Sequence, residues 1–199
     1  MRHRNALRST PTPVHRVGLR LVPLLLLLLL LAPGIAAAED DESPPILPFF
    51  PFQISIAPAW AQIMPSNVPI YGFGINALYG LQHELYGFDA GVFNEVERAF
   101  GGVEVGVVNI TRGDAVGLQA GVGNAAEGGM TGLQLGGVNF VEKDFRGAQL
   151  GAGNTADNVK GAQIGIFNYA EDLKGIQFGL LNFNSKGPLF FLPIVNVGW

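Results

Sequence analysis

The chain has 199 residues, of which 48% are hydrophobic and 14% charged, and it contains no cysteine. The missing cysteine excludes a disulfide framework and any cysteine-based metal site. Five of the twelve basic residues lie in the first 20 positions and all sixteen acids follow residue 38, so residues 39–199 carry seven bases and a net charge near −9. This balance makes nucleic acid a poor candidate partner.

An export signal is predicted over residues 1–38. Arginines crowd the first 20 residues, Leu24–Leu31 is an unbroken leucine run, and Ala36–Ala38 supplies an A-x-A cleavage site. The leucine run is shorter than the ~20 residues that a membrane span needs. We therefore expect cleavage after Ala38 and a mature protein in the periplasm, in the outer membrane or at the cell surface.

Residues 39–51 are acidic and proline-rich and are predicted to form an extended linker. Residues 52–60, FQISIAPAW, alternate like a strand that closes one end of the following domain. Residues 61–71 contain two prolines and are predicted to form a loop. The β-repeat domain is predicted to span residues 52–199.

One short unit is repeated about nine times between Gly72 and Asn196. Its clearest copies, GLQAGVGN, GLQLGGVN, GAQLGAGN, GAQIGIFN and GIQFGLLN, begin at Gly117, Gly132, Gly147, Gly161 and Gly175. Weaker copies begin at Gly72, Gly87 and Gly102, and a last one, LFFLPIVN, begins at Leu189. The spacing is 15 residues between the first six starts and 14 afterwards, and such a fixed period indicates a repeat architecture.

Each copy reads as one β-strand and one connector. Counting from the first glycine, positions 2, 4 and 6 are apolar, position 3 is polar and position 8 is asparagine. This alternation predicts a strand, because the recurring glycines would each cost roughly 1 kcal/mol in a helix. The connector carries an apolar residue at position 10 and another two residues before the next glycine, with an acid-rich tip between them.

Two all-β architectures fit this unit. In a β-solenoid, each copy is one coil stacked parallel on the last, so that equivalent side chains lie above one another. We prefer this fold. Its interior would be filled by positions 2, 4, 6 and 10 and by the apolar residue two residues before the next glycine. The alternative is an antiparallel outer-membrane-type β-barrel of about ten strands, for which the aromatic C-terminal end is the best support.

In the solenoid, position 8 is predicted to form an inward ladder of paired amides, because a buried asparagine is costly without a hydrogen-bond partner. Its members are Asn94, Asn109, Asn124, Asn139, Asn154, Asn168, Asn182 and Asn196. The opposite strand face, rich in glycine and glutamine, is a candidate interaction face. Its glutamines are Gln119, Gln134, Gln149, Gln163 and Gln177.

Groups for catalysis are scarce. His83 is the one histidine after residue 38, in a connector where it is expected to be a solvated side chain. Acids at the repeat tips, including Glu127 and Glu142, allow two interpretations: a Ca²⁺-binding edge or a solvated rim balanced by nearby bases, and we favour the rim. No catalytic residue, cofactor or resident metal is expected, and the protein is predicted not to be an enzyme.

The G-x-Q-x-G-x-x-N unit, the export signal and the PLFFLPIVNVGW ending together resemble the bacterial surface-repeat proteins first recognised in leptospires. The resemblance implies an exported, envelope-associated protein and supplies no catalytic residues. We therefore expect a non-enzymatic envelope or surface protein that presents a repetitive β platform. Its partners would be other envelope proteins, the outer membrane or a second copy of the chain; the alternative function is an integral outer-membrane barrel.

Overall fold

The computed structural model describes residues 49–56 and 67–199, and all regular structure there is β. The predicted signal and nearly all of the predicted linker lie outside the described residues. Nine strands follow in chain order: β1 (Phe50–Ser55), β2 (Ile70–Gln82), β3 (Leu85–Val96), β4 (Phe100–Thr111), β5 (Ala115–Ala126), β6 (Met130–Leu150), β7 (Gly153–Ile164), β8 (Phe167–Asn184) and β9 (Phe191–Gly198). β1 thus begins two residues before the predicted start of the domain, and β2 takes in the last two residues of the predicted loop.

The strands form one sheet in sequence order, and every pair from β1–β2 to β7–β8 is parallel. Parallel neighbours without helices between them mean that each repeat is one coil of a β-solenoid of about seven turns. The preferred fold is therefore confirmed. The antiparallel barrel is wrong, since its neighbouring strands would run in opposite directions.

Successive coils are stacked with equivalent positions in register. Gly102 pairs with Gly117, and Asn124 pairs with Asn139. The change of period falls at the connector tip, where Val141 pairs 15 residues ahead but Asp144 pairs only 14 ahead. A connector tip can lose a residue because the paired strands on either side keep their register.

The C-terminal segment departs from the repeat. β9 runs antiparallel to β8, so that Asn196 lies opposite Gln177. The prediction that Leu189 starts a ninth parallel copy with Asn196 on the asparagine ladder is therefore wrong. Lys186–Pro188 reverse the chain instead, and β9 covers the last coil as a terminating strand.

The apolar core consists of two columns of side chains, one from each of two positions in the coil, and both positions were predicted to face inward. One column is position 10, and the other is the residue two before each glycine. These side chains are at most 2% exposed and belong to one hydrophobic cluster: Leu85, Val96, Phe100, Ala115, Ala126, Met130, Val141, Phe145, Ala156, Val159, Ala170 and Leu173.

The predicted inward placement of positions 2, 4 and 6 is wrong. Val107, Val122 and Leu180 at position 6 are 48%, 66% and 66% exposed, while Gln119 and Gln134 at position 3 are fully buried. Alternation breaks between positions 5 and 8, because positions 6 and 7 both point outward at a corner of the coil. The inward residues therefore have odd position numbers before the corner and even position numbers after it.

Two glycines of each unit allow this arrangement. At position 1, Gly117 has φ +134°, and a Cβ there would overlap the carbonyl oxygen of Gly102 in the coil below. At position 5, a Cβ on Gly121 would lie 2.6 Å from the carbonyl oxygen of Gly106. No side chain fits at either position, because the backbone of the coil below occupies the space on both sides of each inward glutamine.

Candidate functional site: an apolar outer surface over amide ladders

The asparagines of position 8 form a continuous hydrogen-bonded ladder inside the solenoid. Each Nδ2 donates to the Oδ1 of the next coil at 2.7–3.0 Å, from Asn94 through to Asn182. Each Nδ2 from Asn94 to Asn168 also donates to a backbone carbonyl of the next coil, as Asn139 does to Leu150 at 3.0 Å. Seven of the eight predicted ladder residues therefore lie together, and Asn196 does not.

The glutamines of position 3 form a second internal ladder, so their prediction as an interaction face is wrong. Each Nε2 donates to the Oε1 of the preceding coil at 2.7–2.9 Å, from Gln177 down to Gln119. All five glutamines are fully buried. Because an amide that stacks on its own kind satisfies both its donor and its acceptor, a polar interior becomes tolerable.

The two ladders run in opposite directions, and each end meets a matching group. The asparagine ladder receives its first donor from Asn76 at 2.9 Å, and its last amide, on Asn182, donates to the carbonyl of Gly179. The glutamine ladder receives its first donor from Asn196, 3.1 Å from Gln177, and its last amide donates to Glu104 at 2.8 Å. Both ladders are therefore closed within this one chain.

Two buried acids take the place of glutamine at the N-terminal end of the second ladder. Asp89 and Glu104 are register partners and are fully buried. Burial raises the pKa of Asp89 to about 7, against hydrogen bonds from Asn76, Gln82 and the backbone of Ala90 that lower it. Burial also raises the pKa of Glu104 well above its usual range, and the neighbouring charge of Asp89 adds to this shift.

One oxygen of each acid lacks a donor. Among the described residues, the buried side-chain atoms without a partner are Asp89 Oδ2, Glu104 Oε1, Gln82 Oε1 and Asn184 Oδ1, all near the ends of the array. A proton on Glu104 would let it donate to Asp89, as each glutamine donates to the residue below it. The neutral form of Glu104 therefore fits the ladder, whereas with both acids ionised each keeps one buried oxygen without a donor.

The outer surface of the solenoid is apolar where the sequence suggested a core. Positions 2, 4 and 6 hold an apolar residue or glycine in each of the copies that begin between Gly87 and Gly175. Their most exposed side chains are Phe88, Val92, Val105, Val107, Val122, Ile164, Ile166, Phe178 and Leu180. We call the outward residues of positions 2, 4 and 6 the apolar flank.

Both terminal strands lengthen the apolar flank. In β1, Phe52 and Ile54 pair with Phe73 and Ile75, and all four are more than 40% exposed. In β9, Val195 and Val197 lie beside Phe178 and Ile176 of the last coil. The eight spacings of about 4.8 Å between nine strands give the flank a length of roughly 38 Å, and four residue steps of about 3.3 Å from position 2 to position 6 give it a width of roughly 13 Å.

A second side of the coil, positions 7 and 9, continues the apolar surface beyond the corner. Between Phe93 and Phe183 it contains one charged residue, Glu95. That carboxylate accepts hydrogen bonds from Tyr79 at 2.6 Å and from Nε of Arg112 at 2.7 Å, so it is already paired. The outer surface is therefore apolar on two adjoining sides.

The remaining charges lie along the connector tips, which form a charged edge. Arg112 also reaches Glu127 at 3.2 Å, and Lys186 pairs with Glu171 at 3.0 Å. The predicted acidic row is thus interleaved with bases. Burial and the nearby carboxylates of Glu171 and Glu142 raise the pKa of Asp157 at this edge.

The charged edge offers little for chemistry. His83 lies here, with Nδ1 3.1 Å from a carboxylate oxygen of Glu97. Within the described residues, no group of three or more His, Asp or Glu side chains is placed to hold a metal ion. A groove of about 590 Å³ beside Asp114 and Arg146 is lined by side chains of both charges.

Comparison with known proteins adds no information about the function of this fold. No family model, curated protein or solved structure matches the chain. The part of the chain that the structure describes contains no helix with the length and apolarity that crossing a membrane requires. What distinguishes the molecule is therefore its apolar flank, its apolar second side and the charged edge that runs beside them.

Proposed function

We propose that the protein is a non-enzymatic, exported envelope protein whose apolar flank docks on another component of the envelope. The observation that carries the proposal is the row of exposed apolar side chains running along the stacked coils from β1 to β9. A surface of roughly 38 by 13 Å, or about 500 Å², lies at the upper end of the contiguous apolar area that a soluble monomer exposes, and patches of this size are often interaction sites. The export signal over residues 1–38 and the resemblance to leptospiral surface-repeat proteins support the same compartment.

The role is one of binding and scaffolding. The amide ladders make the coils a rigid array, and the flank presents side chains that differ in size but never in polarity. Such a platform binds through burial of apolar area, at about 25 cal/mol for each Å² removed from water. It needs no cofactor and no titrating group at the contact.

The test is export and retention in a Gram-negative host that expresses the full chain. We expect a mature N-terminus at Glu39 and an envelope-bound protein that high salt does not release, because the docking surface carries no charge. Val122→Glu, at the centre of the flank, should release it; Thr131→Glu, which adds the same charge in the groove beside Asp114 and Arg146 at the charged edge, should not. A soluble wild-type protein, or equal behaviour of the two variants, would contradict the proposal.

A further inference from the structure

Taking the proposed docking role as given, we infer that the occupant of the outer surface is the acyl region of a lipid layer. The solenoid would lie along the layer with the apolar flank and the second side immersed and the charged edge in water. Three features of the described residues carry this inference: the shape of the apolar surface, the segregation of charge and the variability of the exposed residues.

The shape of the apolar surface favours a fluid occupant. The flank and the second side meet at the corner between positions 6 and 7, where Leu180 and Leu181 both point outward and are 66% and 43% exposed. A flat sheet of a second copy would cover one side of this corner and leave the other wet. Acyl chains surround a convex edge, so a lipid layer buries both sides at once.

The segregation of charge is nearly complete. Outside the interior, every Asp, Glu, Lys and Arg from Glu84 to Lys186 lies in a connector, and Glu95 alone among them belongs to the apolar second side. Glu95 is held by Arg112, whose guanidinium also reaches Glu127 at the charged edge. An element that lies within an interface needs this division between an apolar side and a solvated side, whereas a docked protein tolerates charges within its rim.

The pattern of variation separates the interior from the flank. Inside, the same amide recurs from coil to coil because each one must hydrogen-bond to the next. Outside, position 2 reads Phe, Val, Leu, Leu, Ala, Ala, Ile from Phe88 to Ile176, so that its size ranges from alanine to phenylalanine. A shape-matched protein partner requires particular contours, while a hydrocarbon phase requires only apolarity.

Backbone chemistry is compatible with immersion. Each coil pairs with its neighbours through parallel ladders, so the flank presents no unpaired strand edge to lipid. The open edges lie at the two ends of the array, in β1 and β9. Immersion by one side-chain layer, about 5–10 Å, would leave the charged edge in water.

The experiment uses the absence of cysteine, which makes any single introduced thiol unique. The exported protein carries an environment-sensitive dye on Val122→Cys (flank), Ile110→Cys (second side) or Thr131→Cys (charged edge). Each is mixed with vesicles of phosphatidylethanolamine and phosphatidylglycerol that contain acyl-chain quenchers. We expect quenching of the first two dyes and not of the third, and no loss of quenching at about 1 M salt.

The matched charge variants give the magnitude. Val122→Glu should weaken vesicle binding by at least roughly tenfold, because a carboxylate would enter hydrocarbon, while Thr131→Glu should bind like the wild type. Quenching of one side only, or binding that salt abolishes, would overturn the inference. Self-association through the flank, or envelope retention without any vesicle binding, would also overturn it while leaving the proposed docking function intact.

Discussion

Replacing Glu104 by glutamine should stabilise the protein at neutral and alkaline pH. The new Nε2 would donate to the Asp89 oxygen that now lacks a donor, and its Oε1 would still accept from Gln119. The substitution therefore extends the glutamine ladder by one rung and removes a buried acid. Glu104 and glutamine are nearly equal in size, so packing is unchanged.

The expected magnitude follows from Asp89. Its pKa is about 7 in the folded chain against 3.8 as the reference. A raised carboxyl pKa means that folding favours the protonated form: the stability is fully present below pH 3.8 and is lost as pH rises towards 7. A shift of about three units corresponds to a loss of about 4 kcal/mol across that window, and Glu104 adds to the loss in the same direction.

The assay is urea unfolding followed by circular dichroism at about pH 4.5 and about pH 8. The wild-type protein should lose at least roughly 3 kcal/mol between the two, since part of the Asp89 contribution is already lost at about pH 4.5; Glu104→Gln should lose at most about half of that, because an amide donor favours the ionised form of Asp89. Glu127→Gln, at an exposed tip, is the control with the same change of charge. Wild-type stability that is flat or rises towards pH 8, or a Glu104→Gln variant less stable than wild type at pH 8, would refute the reasoning.

Two further substitutions test the packing of the coils by the same unfolding measurement. Asn139→Ala should cost about 2–5 kcal/mol, because it leaves the amide of Asn124 and the Oδ1 of Asn154 buried without their partner; a cost below about 1 kcal/mol would mean that the ladder relaxes around the gap. Gly117→Ala should cost more than about 2 kcal/mol, since φ is +134° and a Cβ overlaps the backbone of the coil below; Gly123→Ala, whose Cβ would meet nothing within 4 Å, is the control and should be nearly neutral.

Much of the fold could be predicted from the repeat itself. A fixed period placed equivalent residues in register, and the cost of an unpaired buried amide predicted that Asn94 to Asn182 would stack. The apolar residue at position 10 and the one two residues before each glycine, such as Val141 and Phe145, were correctly predicted as core. Each of these inferences depends on one coil lying directly on the next.

The orientation of the first half of each coil could not be predicted by the same reasoning. Continuous alternation from position 2 to position 10 places Val122 inward with Asn124, whereas two successive outward residues at the corner reverse the earlier positions. A signal was present in Gly117, Gln119 and Gly121. Glycines on both sides of a recurring amide indicate positions where no larger side chain fits. A solvent-facing surface would accept larger side chains at those positions.

At the C-terminal end, the direction of the strand could not be predicted from the sequence pattern. LFFLPIVN has the polar and apolar pattern of a repeat, and direction along the sheet is not encoded in such a pattern. Pro188 and the turn at Lys186 reverse the chain, so that Asn196 reaches the end of the glutamine ladder. An asparagine in the expected place therefore has a different partner.

The closing of both ladders has a consequence for how this protein can change in length. The residues that end them, Asn76, Glu104 and Asn196, lie in β2, β4 and β9, and the tiers between β4 and β9 repeat the same two amides. Removing or duplicating one whole 15-residue unit from the middle would place equivalent residues beside each other, so every ladder amide would still have its hydrogen-bond partner. The length of the solenoid could thus be adjusted in steps of about 4.8 Å without redesigning either end.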